Sequence, residues 1–540
     1  MRYRGWKILL LLCGIGLLLA AGLKEELQEE VAEPGRAEDW WHVKILSEEE
    51  YKSICTGRIP KSGEEALPVY MTWEEEMLPY DSLSNTFMRF ARMKEWDLEC
   101  NAGQEGILFG RLQTEAGERL IAYTKDSYSE FSFWQTELPV LVIQTEEEIA
   151  EEEYTEAAMT IFDEDSGMGF TDHLTVGLHT RGASSQWIPK KSYRVKVQPA
   201  REESAERNGS GKSYPFFGMR AAREWVLYSF YGDESKMREK LSRDLWDEIV
   251  RNSTYSDAGN GLQMEYCEVF VNGEYEGLYG MGTAVDRRNF WEDKDSARQD
   301  LLFKTVNFDA PTPEDIAAVG DEEACKCLEL KYASWKSEDM WETIGQYMYL
   351  AYYASDEEYL AQMRNYMEVE DHIDYWLFFL ASGLDDNELK NLYLSIENAQ
   401  NNTKVLMTPW DMDMSWGVGY TGEDIFMWGR NDKQYRKIMD FPIVSRMFSA
   451  GDVEFTEQTK ARWRELRKDI ITEEKMLARV REYDRLLWHS DVMKREKERW
   501  PEAKYASDTE YIENYISKRF VYLDEYLEQL GKGEWDDGWD

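Results

Sequence analysis

DNELKNLYLSIENAQNNTKVLMTPWDMDMSWG, residues 386–417, decides how the rest of this chain is read. Two β-type runs, NLYLSIE (391–397) and KVLMTPW (404–410), flank the polar loop NAQNNT (398–403) and predict an antiparallel hairpin. A hairpin centred on that loop sets Asn391 beside Asp411 at its open end. Asp386 stands five residues before Asn391, and Asp413 two residues after Asp411. Three carboxylates and an amide therefore converge on one end of one hairpin. Hard oxygen donors gathered this way suit Mg²⁺ or Ca²⁺ better than a soft metal.

At 540 residues the chain is long enough for more than one domain and a sizeable core. A hydrophobic content of 43% with 14% aromatics argues against disorder. The formal net charge of −43 argues against nucleic acid as a partner and against docking on an anionic membrane surface. Residues 1–23 start basic (Arg2, Arg4, Lys7) and continue as an apolar run with Ala20-Ala21-Gly22 near its end. They read as a signal peptide or an N-terminal anchor, so the expected location is extracytoplasmic, secreted or held at the cell surface. Residues 24–38 are charged and read as a linker. Beyond Cys13 there remain Cys55, Cys100, Cys267, Cys325 and Cys327, without the spacing of a disulfide framework. Cys325 and Cys327 are too close for an easy bridge and lack a second pair for zinc. The five histidines are scattered singly and are expected to be structural.

From 39 to 135, an acidic helix-like part and strands such as GILFGRL predict a small α+β domain. LPVLVIQTEEE (138–148) opens a second region. HLTVGLHTRGASSQWIPKKSYRVKVQ (173–198) reads as strand, loop, strand, with Tyr193, Val195 and Val197 on one face and Arg194 and Lys196 on the other. The RGASS turn offers backbone N–H groups near Arg181 and the lysines, a modest anion-binding nest. Residues 199–214 look like an inserted loop. Met237, Leu241, Leu245 and Ile249 recur every four residues, the mark of an amphipathic helix. YCEVFVNGEYEGLYGMGTAV (266–285) is a hairpin turning at Asn272-Gly273. LLFKTV and LELKYAS are short strands carrying Lys304 and Lys331, and DHIDYWLFFLASG (371–383) is an apolar helix leading to Asp386. After the loop GYTGEDIFMWGRNDKQ the chain reads as helix. It ends in a stripe of Ile512, Ile516, Phe520, Leu523, Leu527 and Leu530, with Ser507 and Glu510 as a capping box. The tail 532–540 reads as flexible.

RGASSQWIPKKSYRVKV, GMRAAREWVLYSFYGDESKMR, EVFVNGEYEGLYGM, LLFK, LDDNELKNLYL and MTPWDMDMSWG together resemble, in order, the spore-coat protein H (CotH) family of atypical kinases. The resemblance covers roughly residues 138–420, with 421–531 resembling the family's helical end. It implies an α+β fold with an atypical protein-kinase-like core, and transfer of the ATP γ-phosphoryl group to Ser or Thr of a protein substrate. Carried over residue by residue, Asp386 is the catalytic carboxylate, Asn391 and Asp411 hold metal (Mg²⁺ or Mn²⁺), and Asp413 is a second ligand or its orienter. Lys196, or alternatively Lys191, pairs with the phosphates. Asp385, adjacent to Asp386, is the alternative for the catalytic role. Where the family pattern leads us to expect a Glu shortly after NGEYEGLY, this chain has Thr283, a departure that implies weakened activity.

Three function classes follow: an exported metal-dependent kinase, a non-catalytic surface or coat-assembly scaffold on the same fold, and a carbohydrate-active or carbohydrate-binding surface protein. The 21 tryptophans and paired carboxylates raise the third. Asp411 and Asp413, two apart on one face, suit joint metal binding better than the separated acid and base of a glycosidase.

Overall fold

The computed structural model describes residues 44–531 except 68, 70, 74–75, 92, 94–98, 101–106, 115–116, 164–170, 183–186, 199–212, 256–260, 286–298, 308–309, 321–324, 336–337, 388–389 and 420–440. The signal-like segment, the linker, most of the RGASS turn and of the inserted loop, the loop after Gly417 and the tail thus lie outside the described residues. Among those described, no helix is long and apolar enough to cross a membrane. The fold is mixed α+β and divides into two compact units.

The first unit comprises Met1–Leu78, Ser82–Arg89 and Met93–Phe133. Its antiparallel strands Leu108–Thr114, Gly117–Tyr123 and Ser127–Thr136 are joined by the short parallel strand Lys44–Ile45. Helix Glu48–Cys55 is closed by a capping box of Ser47 and Glu50, and Ile54 packs on Leu46 and Ile121.

The second unit holds Pro79–Asp81, Phe90–Arg92 and Trp134–Asp540. Seven strands form a closed barrel: β1 (Val140–Gln144), β2 (Thr155–Phe162), β3 (Thr171–Arg181), β4 (Ser192–Val197), β5 (Glu224–Tyr228), β6 (Met264–Val271) and β7 (Glu274–Thr283). The order is β1-β2-β3-β4-β5-β7-β6, and β6 closes it by running parallel to β1. Alternation along β4 sends Tyr193, Val195 and Val197 into the barrel core with Trp225, Leu227 and Met281. Arg194 and Lys196 accordingly point outward.

A four-stranded antiparallel sheet follows: β8 (Leu301–Val306), β9 (Leu328–Ala333), β10 (Lys390–Ile396) and β11 (Val405–Pro409), in the order β9-β8-β10-β11. The unit's longer helices are α1 (Arg238–Arg251), α2 (Glu342–Tyr352), α3 (Val369–Ser382), α4 (Pro442–Ser449), α5 (Val453–Asp469), α6 (Glu473–Leu487), α7 (Val492–Arg499) and α8 (Glu510–Gln529), with Pro313–Ala317 and Asp356–Gln362 as shorter ones. One hydrophobic core runs from Leu241 and Trp246 through Trp376 and Phe379 to Leu394, Met407, Ile516 and Phe520. The stripe expected on α8 is buried in it. The capping box expected at Ser507 and Glu510 does not form. Helix α8 begins at Glu510 with Thr509 at the cap, and Asp508 accepts the Glu510 N–H at 3.1 Å.

Candidate functional site

Helix α3 stops at Gly383, whose φ of 67° closes the helix in the left-handed region; a Cβ there would run into the Tyr515 hydroxyl. The chain then presents Asp385 and Asp386. Asn387 is buried, and its amide donates to the carbonyls of Asn391 (3.0 Å) and Trp410 (2.7 Å), pinning the loop to the open end of the hairpin. The hairpin has the expected register, Leu392 opposite Pro409 and Ile396 opposite Val405. Just beyond the ladder, Trp410 N–H donates to the Asn391 carbonyl at 2.9 Å.

A bulge decides where Asn391 points. Between the pairs Lys304–Tyr393 and Val306–Lys390, β8 advances two residues and β10 three. The extra residue on β10 introduces a left-handed turn at Asn391 (φ 56°), and Asp411 opposite it has φ 60°. Non-glycine residues in this region carry about 1 kcal/mol or more of strain each, so the surrounding hydrogen bonds must hold them there.

The amide of Asn391 donates to Asp386 Oδ2 at 2.8 Å, while Asp386 Oδ1 is buried without a hydrogen-bond partner among the described residues. Burial raises the Asp386 carboxyl to about 6; Lys390 opposes the shift, and the charges of Asp411 and Asp385 add to it. Burial likewise pushes Asp413 well above the usual carboxylate range, and repulsion from Asp411 and Glu239 adds to it. Glu239, fully buried on α1, is raised by burial and by Asp411 and held down by Arg243. Its two oxygens accept from Arg243 Nε (2.6 Å) and from Met412 N–H (2.5 Å), which lies between the two aspartates. Arg243 in turn donates to the Thr283 carbonyl at 3.0 Å.

Cations line the other side. The guanidinium groups of Arg181 and Arg243 lie 5.3 and 4.9 Å from the Trp410 ring centre. Lys304 lies 5.7 Å from the Tyr393 ring centre, and Tyr393 meets Trp410 edge-on at 6.0 Å. Lys196 instead forms an ion pair with Glu224 (3.6 Å) and sits over Tyr154. Lys191 donates to the Ile188 carbonyl of its own loop at 2.8 Å. Lys190, the other lysine of the PKKSY run, is fully buried against Glu496 at 2.7 Å. Thr283 is buried and its hydroxyl accepts from Gln263 N–H at 3.0 Å. The carboxylate expected at that position is absent, yet Lys196 has one in Glu224.

Among the described residues, no three His, Cys, Asp or Glu side chains are arranged to hold a metal by themselves. The donors here are the carboxylates Asp411 and Asp413 with the amide of Asn391. That set fits Mg²⁺ or Mn²⁺, which bind through one or two carboxylates plus substrate phosphates, rather than a Ca²⁺ cage.

The structure thus brings Asp386, Asn391, Asp411, Asp413 and Arg181 to one region. Glu239, Arg243, Lys304 and Tyr228, whose hydroxyl hydrogen-bonds Asp413, join them although the sequence reading gave them no role. The apolar spacing of α1 was legible. That its polar face is also buried shows in the sequence only as an unusual density of alternating charges, Arg238-Glu239-Lys240 and Arg243-Asp244.

Comparison with known proteins identifies the class to which this mixed α+β fold belongs. A family model described as CotH kinase protein matches residues 178–523, and the chain belongs to that family. Among characterised proteins it is similar to the inner spore coat protein H of Bacillus subtilis (strain 168), 22% identical over 363 residues, covering 66% of this chain and 88% of that protein.

Proposed function

We propose that this protein is an exported, metal-dependent kinase with an atypical protein-kinase-like core, transferring the ATP γ-phosphoryl group to Ser or Thr of a protein substrate. The observation that carries the reading is Asp386, held by Asn391 with its other buried oxygen unpaired among the described residues and near enough to Asp411 to feel its charge. In this reading the acceptor hydroxyl oxygen forms a bond to Pγ. The bond from Pγ to the β,γ-bridging oxygen breaks, its electron pair leaving on ADP. The hydroxyl proton passes to Asp386 Oδ1. Asn391 fixes the Asp386 carboxylate by holding Oδ2. Asp411, Asp413 and Asn391 would hold a divalent cation, which when bound supplies charge neutralisation at the β- and γ-phosphates. Lys196, oriented by Glu224, serves the phosphates from the barrel side, and Arg181 adds positive charge beside Trp410. Positioning and charge neutralisation supply most of the rate in such chemistry.

The test is ATP binding by the purified full-length chain with Mg²⁺ or Mn²⁺, wild type beside Asp411→Asn. Asparagine tolerates the left-handed backbone of position 411 and removes only the charge. Metal-dependent binding that disappears in the variant supports the kinase; equal binding by both rules out Asp411 as a metal ligand. A second reading, a non-catalytic surface or coat-assembly scaffold, is favoured by Thr283, whose side chain is committed to the Gln263 backbone. No nucleotide binding with either metal selects that reading. Export rests on residues 1–23, and N-terminal sequencing of protein recovered outside the cytoplasm tests it.

A further inference from the structure

We propose that Lys304, on the central strand β8, is the cation that contacts the γ-phosphate of the bound nucleotide. This inference rests on the phosphoryl-transfer reading above and deepens it. Three observations carry it.

The first is position. Lys304 pairs with Tyr393 at the edge of the bulge that turns Asn391 towards Asp386. The bulge is locked by the Thr305 hydroxyl, which accepts from Leu392 N–H (3.2 Å) and lies 3.2 Å from the Leu392 carbonyl. Lys304 is therefore fixed by the same irregularity that builds the carboxylate end of the hairpin. Its ammonium rests over Tyr393, whose ring abuts Trp410, the residue preceding Asp411.

The second is its lack of a partner. The neighbouring lysines are engaged: Lys196 with Glu224, Lys331 with Glu329 (2.5 Å), Lys190 with Glu496 and Lys191 with its loop carbonyl. Lys304 has no carboxylate within 4 Å and no hydrogen-bond acceptor among the described residues, and its contact is the face of Tyr393. A half-buried ammonium is costly without an acceptor. Glu329, the residue opposite Lys304 across β8 and β9, is engaged by Lys331 at 2.5 Å.

The third is the surrounding charge. Burial lowers the affinity of Lys304 for its proton, Asp411 and Glu329 oppose this, and Lys331 and Arg181 lower it further. A cation set among Lys331, Arg181, Asp411 and the already paired Glu329 suits an anion with several charges that also reaches a metal at Asp411. The terminal phosphate of a nucleoside triphosphate has that chemistry. Lys196, paired across β4 and β5, serves the phosphates nearer the nucleoside.

The experiment is calorimetric titration of Mn²⁺-ATP, Mn²⁺-ADP and adenosine into the purified full-length wild type, Lys304→Ala, Lys304→Arg and Asp411→Asn. We expect Lys304→Ala to bind ATP about 10- to 100-fold more weakly, as losing a charge-assisted contact predicts, with ADP and adenosine nearly unaffected. Lys304→Arg should recover most of the ATP affinity. Lys304→Met, which keeps the apolar stem on Tyr393, replaces the alanine variant if that one melts early. Unchanged ATP affinity in Lys304→Ala, with Asp411→Asn still losing it, overturns this assignment and leaves the kinase reading standing. A parallel loss of ATP and ADP also overturns it, since the contact would then not be to the γ-phosphate. Absence of ATP binding by wild type removes the kinase reading itself.

Discussion

His372 shows how much a single buried group can be made to report. Its Nδ1 donates to the Glu368 carbonyl (2.9 Å) and its Nε2 lies 2.8 Å from the Tyr347 hydroxyl, so both nitrogens have partners inside the core. Burial pulls it down to about 3. The folded state thus binds the proton less readily than the unfolded state, whose histidine titrates near 6.5. Its stabilising effect is complete above pH 6.5 and is lost as pH falls towards 3. Melting curves across that range should show a steeper acid decline for wild type than for His372→Gln; identical slopes would assign the acid sensitivity to other groups. At the site, Asp411→Asn should melt no lower than wild type without metal. The change removes repulsion against Asp413 and Glu239 while the backbone at 411 stays tolerable. A drop of several degrees in its melting temperature would mean that Asp411 is a structural residue.

At the scale of elements, the hairpin was readable because two β-rich runs around a polar loop admit few registers, and a one-residue slip would expose the apolar face. The bulge at Asn391 was not, since it depends on β8, a strand separated from β10 by helices. The apolar helix before Asp386 was equally plain, and its ending depends on Gly383. Gly383→Ala requires a left-handed alanine and displaces Tyr515, so we expect a loss of about 1–3 kcal/mol in denaturant unfolding. An unchanged midpoint would show that α8 moves freely away from the end of α3. The capping box at Ser507 and Glu510 was misplaced because local spacing matched while Asp508 competed for the same N–H. Helix α1 was read by its apolar face alone. Its Glu239 and Arg243 face other protein and not solvent, which only packing reveals.

In the second unit, two buried ion pairs fasten the barrel to the C-terminal helices. Lys190 meets Glu496 at 2.7 Å, and Arg495 meets Glu268 at 2.8 Å. Glu496 also accepts from Leu278 N–H at 2.8 Å, and a Cβ on Gly277 would run into its carboxylate. Removing one partner leaves the other charge buried, so Glu496→Gln should cost about 3–5 kcal/mol, and Lys190→Met with Glu496→Leu should recover much of it. Equal stability of Glu496→Gln and wild type in urea would mean that water reaches this pair.

The sequence by itself determined the mixed α+β character, the face of β4 that points outward, the hairpin register and the meeting of Asp386, Asn391 and Asp411. Each follows from periodicities and turn chemistry that act within about thirty residues. Tertiary structure alone decided that the first strands close into a barrel and that Glu224 serves Lys196. It also decided that Glu239 backs the aspartates and that Lys304 comes to Tyr393. These depend on strand order and on which charges burial deprives of water, and both are set by contacts between segments far apart in the chain.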